Sequence, residues 1–168
     1  VFLISEDAHS SFVKCCKIMG LGKKNLIKVK TDNNGCMDIN ELKSSIDKCY
    51  EEGKKIFSIV ATLGTTIRGA IDPIEKISKI CKERNIWLHI DGSIGGIYAI
   101  TKIPIKGLSK INFSNSITIN PQKILGITKT SSILIVSDID FLKNTFATGL
   151  PYISTESNIT NRGEMGIQ

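Results

Sequence analysis

The sequence predicts an α/β protein of three layers, in which a mostly parallel sheet is covered by helices on both faces. Short apolar runs alternate with segments of helical period along nearly the whole chain. That alternation is what parallel pairing through crossover helices requires. The helical segments carry start signals where the pattern needs them, and 168 residues suffice for one domain with a real core.

Val1–Ser5 reads as the first strand, His9–Met19 as a helix and Leu26–Lys30 as the next strand. The helix over Asp38–Tyr50 places Ile39, Leu42, Ile46 and Cys49 on one stripe, and Asp38 with Glu41 makes an acid-type capping pair at its start. Ile56–Ala61 is again a strand. Pro73–Arg84 is a helix with Ile74, Ile77 and Cys81 on its buried stripe, Asp72 as its cap and Pro73 in its first turn. Ile86–Asp91, Ser116–Asn120 and Ser131–Ser137 complete the strands, with a shorter helix near Asp138–Asn144. Gly35 and Gly69 read as turn glycines. Residues 1–150 form the expected domain, and 151–168 form a polar tail to which no structure is assigned.

The formal charge is +6, but the lysines are scattered and no cluster exceeds a pair such as Lys23-Lys24. Without a basic stripe or interleaved aromatics, no nucleic-acid partner is expected. The cysteines, at 15, 16, 36, 49 and 81, are odd in number and lack a Cys-x-x-Cys. Cys15, Cys49 and Cys81 fall in helical patterns, where a free thiol packs as a small apolar group. Free thiols imply a reducing cytoplasm. The two histidines lack metal-ligand spacing, so no metal site is expected. No apolar run is long enough to span a bilayer, and the start does not read as a signal peptide, so no membrane partner is expected either. Beginning on a strand at Val1 and stopping at Gln168, the chain reads as a piece of a longer protein.

Ligands of such sheets bind outside the carboxyl ends of the strands. Collected at that rim are Glu6-Asp7-Ala8-His9-Ser10-Ser11, Thr62-Leu63-Gly64-Thr65-Thr66, Asp91-Gly92-Ser93 and Asn120-Pro121-Gln122-Lys123. Lys123 is followed by Ile124-Leu125-Gly126, an apolar setting rather than a solvated charge run. A lysine and an aspartate, each delivered by the end of a buried strand, suit pyridoxal 5'-phosphate chemistry. The lysine forms a Schiff base with the cofactor, and the aspartate keeps the ring nitrogen protonated. The His9 imidazole is flat enough to stack on the ring, or could sit over the substrate as an acid or base. Thr62, Gly64 and Thr65 offer hydroxyls and a tight turn near the ring oxygen. Ser93 is small enough to lie under the ring, and Asn120 and Gln122 offer amide donors to a phosphate. Each also has a plain structural reading: Lys123 as a surface lysine, Asp91 as a helix cap, His9 as a helix-start histidine. His89 shares its face of the strand with Asp91 and reads as a satisfied core histidine.

Taken together, Ala8-His9-Ser10-Ser11, Thr62-Leu63-Gly64-Thr65-Thr66 with Gly69-Ala70-Ile71-Asp72-Pro73, Trp87-Leu88-His89-Ile90-Asp91 and Asn120-Pro121-Gln122-Lys123 resemble, in order and spacing, the group II pyridoxal-phosphate-dependent amino-acid decarboxylases, which include the glutamate, aromatic-amino-acid and histidine decarboxylases. The resemblance covers nearly the whole chain. It implies the large domain of the aspartate-aminotransferase-like fold (fold type I) and a homodimer acting on an amino acid. It makes Lys123 the Schiff-base lysine, Asp91 the partner of the ring nitrogen and His9 the residue stacked on the ring. It puts Thr62 near the cofactor oxygen and Asn120 near the phosphate. Two positions depart from the family pattern. Asp91-Gly92-Ser93 stands where Asp-Ala-Ala is usual, and Gln122 stands where many members have histidine. The resemblance also implies a phosphate loop upstream of residue 1 and a small domain and mobile catalytic loop beyond Gln168, and Asn161-Arg162-Gly163-Glu164 resembles the run-up to a family arginine. The residues alone leave two alternatives open: another reaction of the same fold, such as an aminotransferase or carbon–carbon lyase, or a truncated remnant without turnover.

Overall fold

The computed structural model describes residues 1–101, 103–105 and 107–146. The tail expected at 151–168, and the domain boundary expected at 150, lie outside them. The chain divides into two compact units, Val1–Ile135 and Val136–Gln168. The second contains a described helix, α5, at Ile139–Phe146, with a Lys143–Asp140 ion pair at 3.1 Å.

The first unit is built on strands β1 (Phe2–Ser5), β2 (Leu26–Val29), β3 (Ser58–Thr62), β4 (Trp87–Asp91) and β5 (Ser116–Ile119); β6 (Ile133–Val136) closes the sheet. The order is β2-β1-β3-β4-β5-β6, and the pairings from β2 through β5 are all parallel. The chain steps from β1 to β2 on one side, then returns past β1 to β3 and continues the other way. That reversal leaves a crevice outside the carboxyl ends of β1 and β3, the usual ligand position in an open α/β sheet.

Period-two alternation sorts the strand residues onto two faces. Leu3, Ile59, Ala61, Leu88, Ile90, Ile117 and Ile119 join one apolar cluster with the buried stripes of α2 (Ile39–Glu51) and α3 (Ile74–Arg84). Those stripes are Leu42, Ile46 and Cys49 on α2, and Ile74, Ile77, Ile80 and Cys81 on α3, as the spacing predicts. Burying one such Leu or Ile side chain contributes roughly 1.5–3 kcal/mol. On the other face, Phe2, Ile4 and Val60 pack with Cys16 and Phe12 of α1 (Ser11–Ile18). Further along the sheet this second face turns polar, with Thr62 on β3, His89 and Asp91 on β4, and Ser116 and Thr118 on β5.

The capping of α2 is as expected: the Asp38 carboxylate accepts from the amides of Asn40 at 2.7 Å and Glu41 at 2.9 Å. Asp72 is a correction. The residue at the cap of α3 is Pro73, and no side chain caps the helix. Asp72 instead turns inward, 1% exposed, and accepts from the amides of Met37 at 2.6 Å and Thr62 at 2.7 Å. In α1 the buried cysteine is Cys16, whereas Cys15 is exposed, because the face meeting Phe2 and Ile4 passes one residue later than the pattern suggests. Two 3-10 helices, at Gly95–Ile100 and Leu108–Phe113, are not anticipated by the sequence pattern, since neither has a long enough apolar period to announce itself.

Candidate active site

The site begins with three strand ends brought level by register. Thr62, the last residue of β3, is the Cα partner of Asp91, the last residue of β4, and Asp91 is the partner of Thr118 on β5. Asn120 lies two residues beyond Thr118, and by period two it falls on the same face. An acid in the middle is therefore flanked by an alcohol on each side, with an amide just past the end of β5.

Thr62 and Asp91 are buried, at 4% and 8% exposure. The Thr62 hydroxyl and the Asn120 Oδ1 are buried polar atoms with no hydrogen-bond partner among the described residues. Leaving such atoms unpaired costs about 1–3 kcal/mol each, so both call for a polar partner, a water or a ligand group. A threonine hydroxyl can donate or accept. The asparagine amide is terminal, and a half-turn exchanges a carbonyl acceptor for two N–H donors. This donor and acceptor set fits a ligand with an oxygen beside its ring and an anionic group, and pyridoxal phosphate has both.

The loop after β3 explains why Thr62 is spared. Thr65 uses its hydroxyl to accept from the Ala70 amide at 3.0 Å, and the Gly64 and Thr65 amides both donate to the Ala70 carbonyl. Gly64 and Gly69 take left-handed φ values of 96° and 64°, which lets the loop turn this tightly. Asp72 closes it: Thr62 N donates to the Asp72 carboxylate, and Asp72 N donates back to the Thr62 carbonyl at 3.0 Å. Burial pushes the Asp72 carboxyl up to about 6, against the opposing pull of the Met37 and Thr62 amides. Of the two threonines expected near the cofactor oxygen, Thr62 has a hydroxyl with no partner among the described residues, whereas the Thr65 oxygen already accepts from the loop.

Beside Asp91, Ser93 donates twice to the same carboxylate oxygen, from its hydroxyl at 2.6 Å and its amide at 3.1 Å. Gly92 sits against β5: an added Cβ would meet Thr118 O at 3.0 Å and Ile117 Cδ1 at 2.9 Å. His89 is the satisfied residue expected of it, with Nδ1 2.8 Å from Ser116 Oγ, which also accepts from Trp87 Nε1 at 2.9 Å. Burial lowers the His89 pKa, with nearby Asp91 opposing.

The remaining candidates lie further out. Pro121 starts the short helix α4 (Pro121–Ile124), which carries Gln122 half-buried and Lys123 exposed. Gln122 Oε1 accepts from Ser131 Oγ at 3.5 Å, so its amide hydrogens remain available. The apolar setting expected of Lys123 is only partly met: its neighbours Ile124 and Leu125 are apolar, but they too are exposed, at 40% and 51%. No hydrogen bond or ion pair of the described residues engages its ammonium. His9 is exposed after β1, and its Nδ1 accepts from the Ser11 amide at 3.3 Å. Because a backbone amide can only donate, Nε2 is the ring nitrogen that carries the hydrogen. Across the crevice, Arg68 of the β3 loop faces Asp7 at 3.8 Å, an exposed pair of small energetic weight.

All of residues 1–168 match the model of the pyridoxal-dependent decarboxylase conserved domain. The chain belongs to this family. It is 38% identical over 125 residues to the acidic amino acid decarboxylase GADL1 of Xenopus tropicalis, a match covering 74% of this chain and 24% of that protein. With the human GADL1 it shares 33% identity over 155 residues, covering 91% of this chain and 30% of the relative. Among solved structures, mouse CSAD superimposes with a TM-score of 0.92 at 28% identity, over 100% of this chain and 35% of that one. The glutamate decarboxylase domain of a Vibrio parahaemolyticus diaminobutyrate protein gives 0.78 at 32% identity, over 84% of this chain and 31% of that one. The chain thus spans between 24% and 35% of the length of these relatives. The expected fold, the large domain of the aspartate-aminotransferase-like enzymes, agrees with these neighbours.

Asp72 is the supporting residue that sequence reasoning misses, because Asp-Pro before a helix is also a cap signal. The signal that could have found it is its spacing: a carboxylate ten residues after Thr62, at the far end of a glycine-containing loop short enough to return it to the strand end.

Proposed function

We propose that this chain is the cofactor-holding core of a pyridoxal 5'-phosphate-dependent amino-acid decarboxylase, a carboxy-lyase that turns an L-amino acid into its amine and carbon dioxide. One observation carries the proposal: buried Asp91 is level with Thr62 on β3 and Thr118 on β5, and two buried polar atoms at the same strand ends, Thr62 Oγ1 and Asn120 Oδ1, have no partner among the described residues, with Lys123 on the turn beyond. Membership of the decarboxylase family supports it.

In this scheme Lys123 is the amine that would hold the cofactor's aldehyde carbon. Asp91 would accept the N–H of the pyridine ring, and Thr62 would meet the ring oxygen. Asn120 and Gln122 would give amide hydrogens to the phosphate, and Ser93 is small enough to leave room for the ring. When bound, pyridoxal phosphate supplies the electron sink for the pair left behind as carbon dioxide departs. His9 would lie against the ring, with Nδ1 tied to Ser11 and the Nε2 hydrogen left to be donated. The substrate screen begins with acidic amino acids, the class that the GADL1 relatives are named for. The same proposal takes the working form to be a homodimer in the cytoplasm. Apolar side chains exposed at Ile124, Leu125 and Ile127 and the free thiols support it.

The test is borohydride trapping of the full natural protein with pyridoxal phosphate, followed by digestion and mass spectrometry. A pyridoxyl group on Lys123, with carbon dioxide released from an L-amino acid, is the expected result. A modified Lys123 without carbon dioxide release would move the reaction to another of the same fold. Label scattered over surface lysines would leave a remnant without turnover.

A further inference from the structure

We propose that Ser93 is a positioning residue for Asp91, fixing which carboxylate oxygen faces the cofactor's pyridine nitrogen. The inference rests on the cofactor reading above. Asp91 ends β4 and its side chain is buried, yet its carboxylate could still rotate about its last torsion, since a terminal sp² group has a broad, two-fold profile. Ser93 removes that freedom. Its hydroxyl, at 2.6 Å, and its amide, at 3.1 Å, both donate to Oδ1. Among the described residues no hydrogen bond reaches Oδ2. One oxygen is thus filled by the protein and the other is left for a ligand's N–H.

The amide alone would not suffice. It is the longer of the two bonds and belongs to a turn that opens into the 3-10 helix at Gly95–Ile100, whereas the hydroxyl bond is short and charge-assisted. The local packing keeps the turn in place. Gly96 N donates to Gly92 O at 2.8 Å and Gly95 N to Leu63 O at 2.9 Å, which holds Ser93 over the end of β4 and beside the β3 loop. The serine hydroxyl therefore orients an acid that the strand itself only delivers.

The test is a double-mutant cycle in the full natural protein, reading the dissociation constant of pyridoxal phosphate by its absorbance. Ser93→Ala should weaken binding about tenfold when Asp91 is present, the size of one hydrogen bond to a charged group. In an Asp91→Asn background the same change should have almost no effect, since an interaction that runs through Asp91 is lost with it. Ser93→Cys, close to serine in size but a much weaker donor, should weaken binding nearly as much as Ser93→Ala. The ¹⁵N resonance of ring-labelled cofactor should shift in Ser93→Ala and in Ser93→Cys alike. Equal losses in both backgrounds, or an unchanged ¹⁵N signal in Ser93→Ala, would overturn the assignment. If Lys123 still takes the borohydride label in that case, only the role of Ser93 falls. If it does not, the cofactor reading falls and this inference falls with it.

Discussion

Asp72→Asn tests the support of the site through the pH dependence of stability. Asp72 is 1% exposed, and its carboxyl is raised from 3.8 to about 6 in the folded protein, chiefly by burial, with Asp32 and Asp7 adding repulsion. The sign is the reverse of an ordinary ion-paired acid. With the folded value above the unfolded one, the folded state holds this proton more tightly. The stability contributed by protonation is therefore fully present below 3.8 and is lost as pH rises through about 6. The gap between those two values corresponds to about 3 kcal/mol. Asparagine cannot titrate, so the comparison isolates this one group from every other acid in the chain. Urea unfolding of the natural protein and the variant at a series of pH values should show the difference in their stabilities moving by about 3 kcal/mol against the natural protein between acid and neutral pH. A difference that stays flat across that window would refute the reasoning. One that moves the other way would show that the Met37 and Thr62 amides outweigh burial.

Thr62→Val should leave the cofactor-free protein as stable or more stable, by up to about 1 kcal/mol, because it removes a buried hydroxyl without a partner; pyridoxal phosphate affinity should fall in the same variant. Urea unfolding and a binding titration measure the two, and a loss of stability without loss of affinity would contradict the role given to Thr62. Gly95→Ala should destabilise by about 2 kcal/mol or more, since its Cβ would lie 2.3 Å from the Leu63 carbonyl oxygen and force the β3 loop aside. Amide exchange at Gly64 and Thr65 should rise with it. Lys123→Ala should abolish the borohydride-stable adduct while unfolding stability stays within about 0.5 kcal/mol, as befits an exposed side chain.

Much of this fold can be read along the chain. The strands, the stripes on α2 and α3 and the Asp38 cap each depend on periodicity or on donors within a few residues, so a single segment states them. The candidate residues are legible for a related reason. In a parallel α/β sheet the functional groups follow the strands, and finding where Ile86–Asp91 and Ser116–Asn120 end is enough to find Asp91, Asn120 and Lys123.

Asp72 shows where that legibility stops. Its sequence neighbours make it a helix cap, but a partner 35 residues away, the amide of Met37, and another at the end of β3 draw it inward. Thr62 and Thr65 are alike in sequence, and only the return of Ala70 decides which hydroxyl is already used. Cys15 and Cys16 are adjacent, and only the packing of α1 on Phe2 and Ile4 decides which is buried. The sequence alone determined the order of the strands, the faces that α2 and α3 bury and the candidate residues carried to the rim, because those follow from the geometry of each segment. Tertiary structure decided which polar atoms are satisfied and which are left for a ligand, because a hydrogen bond depends on whatever distant backbone the fold brings within reach.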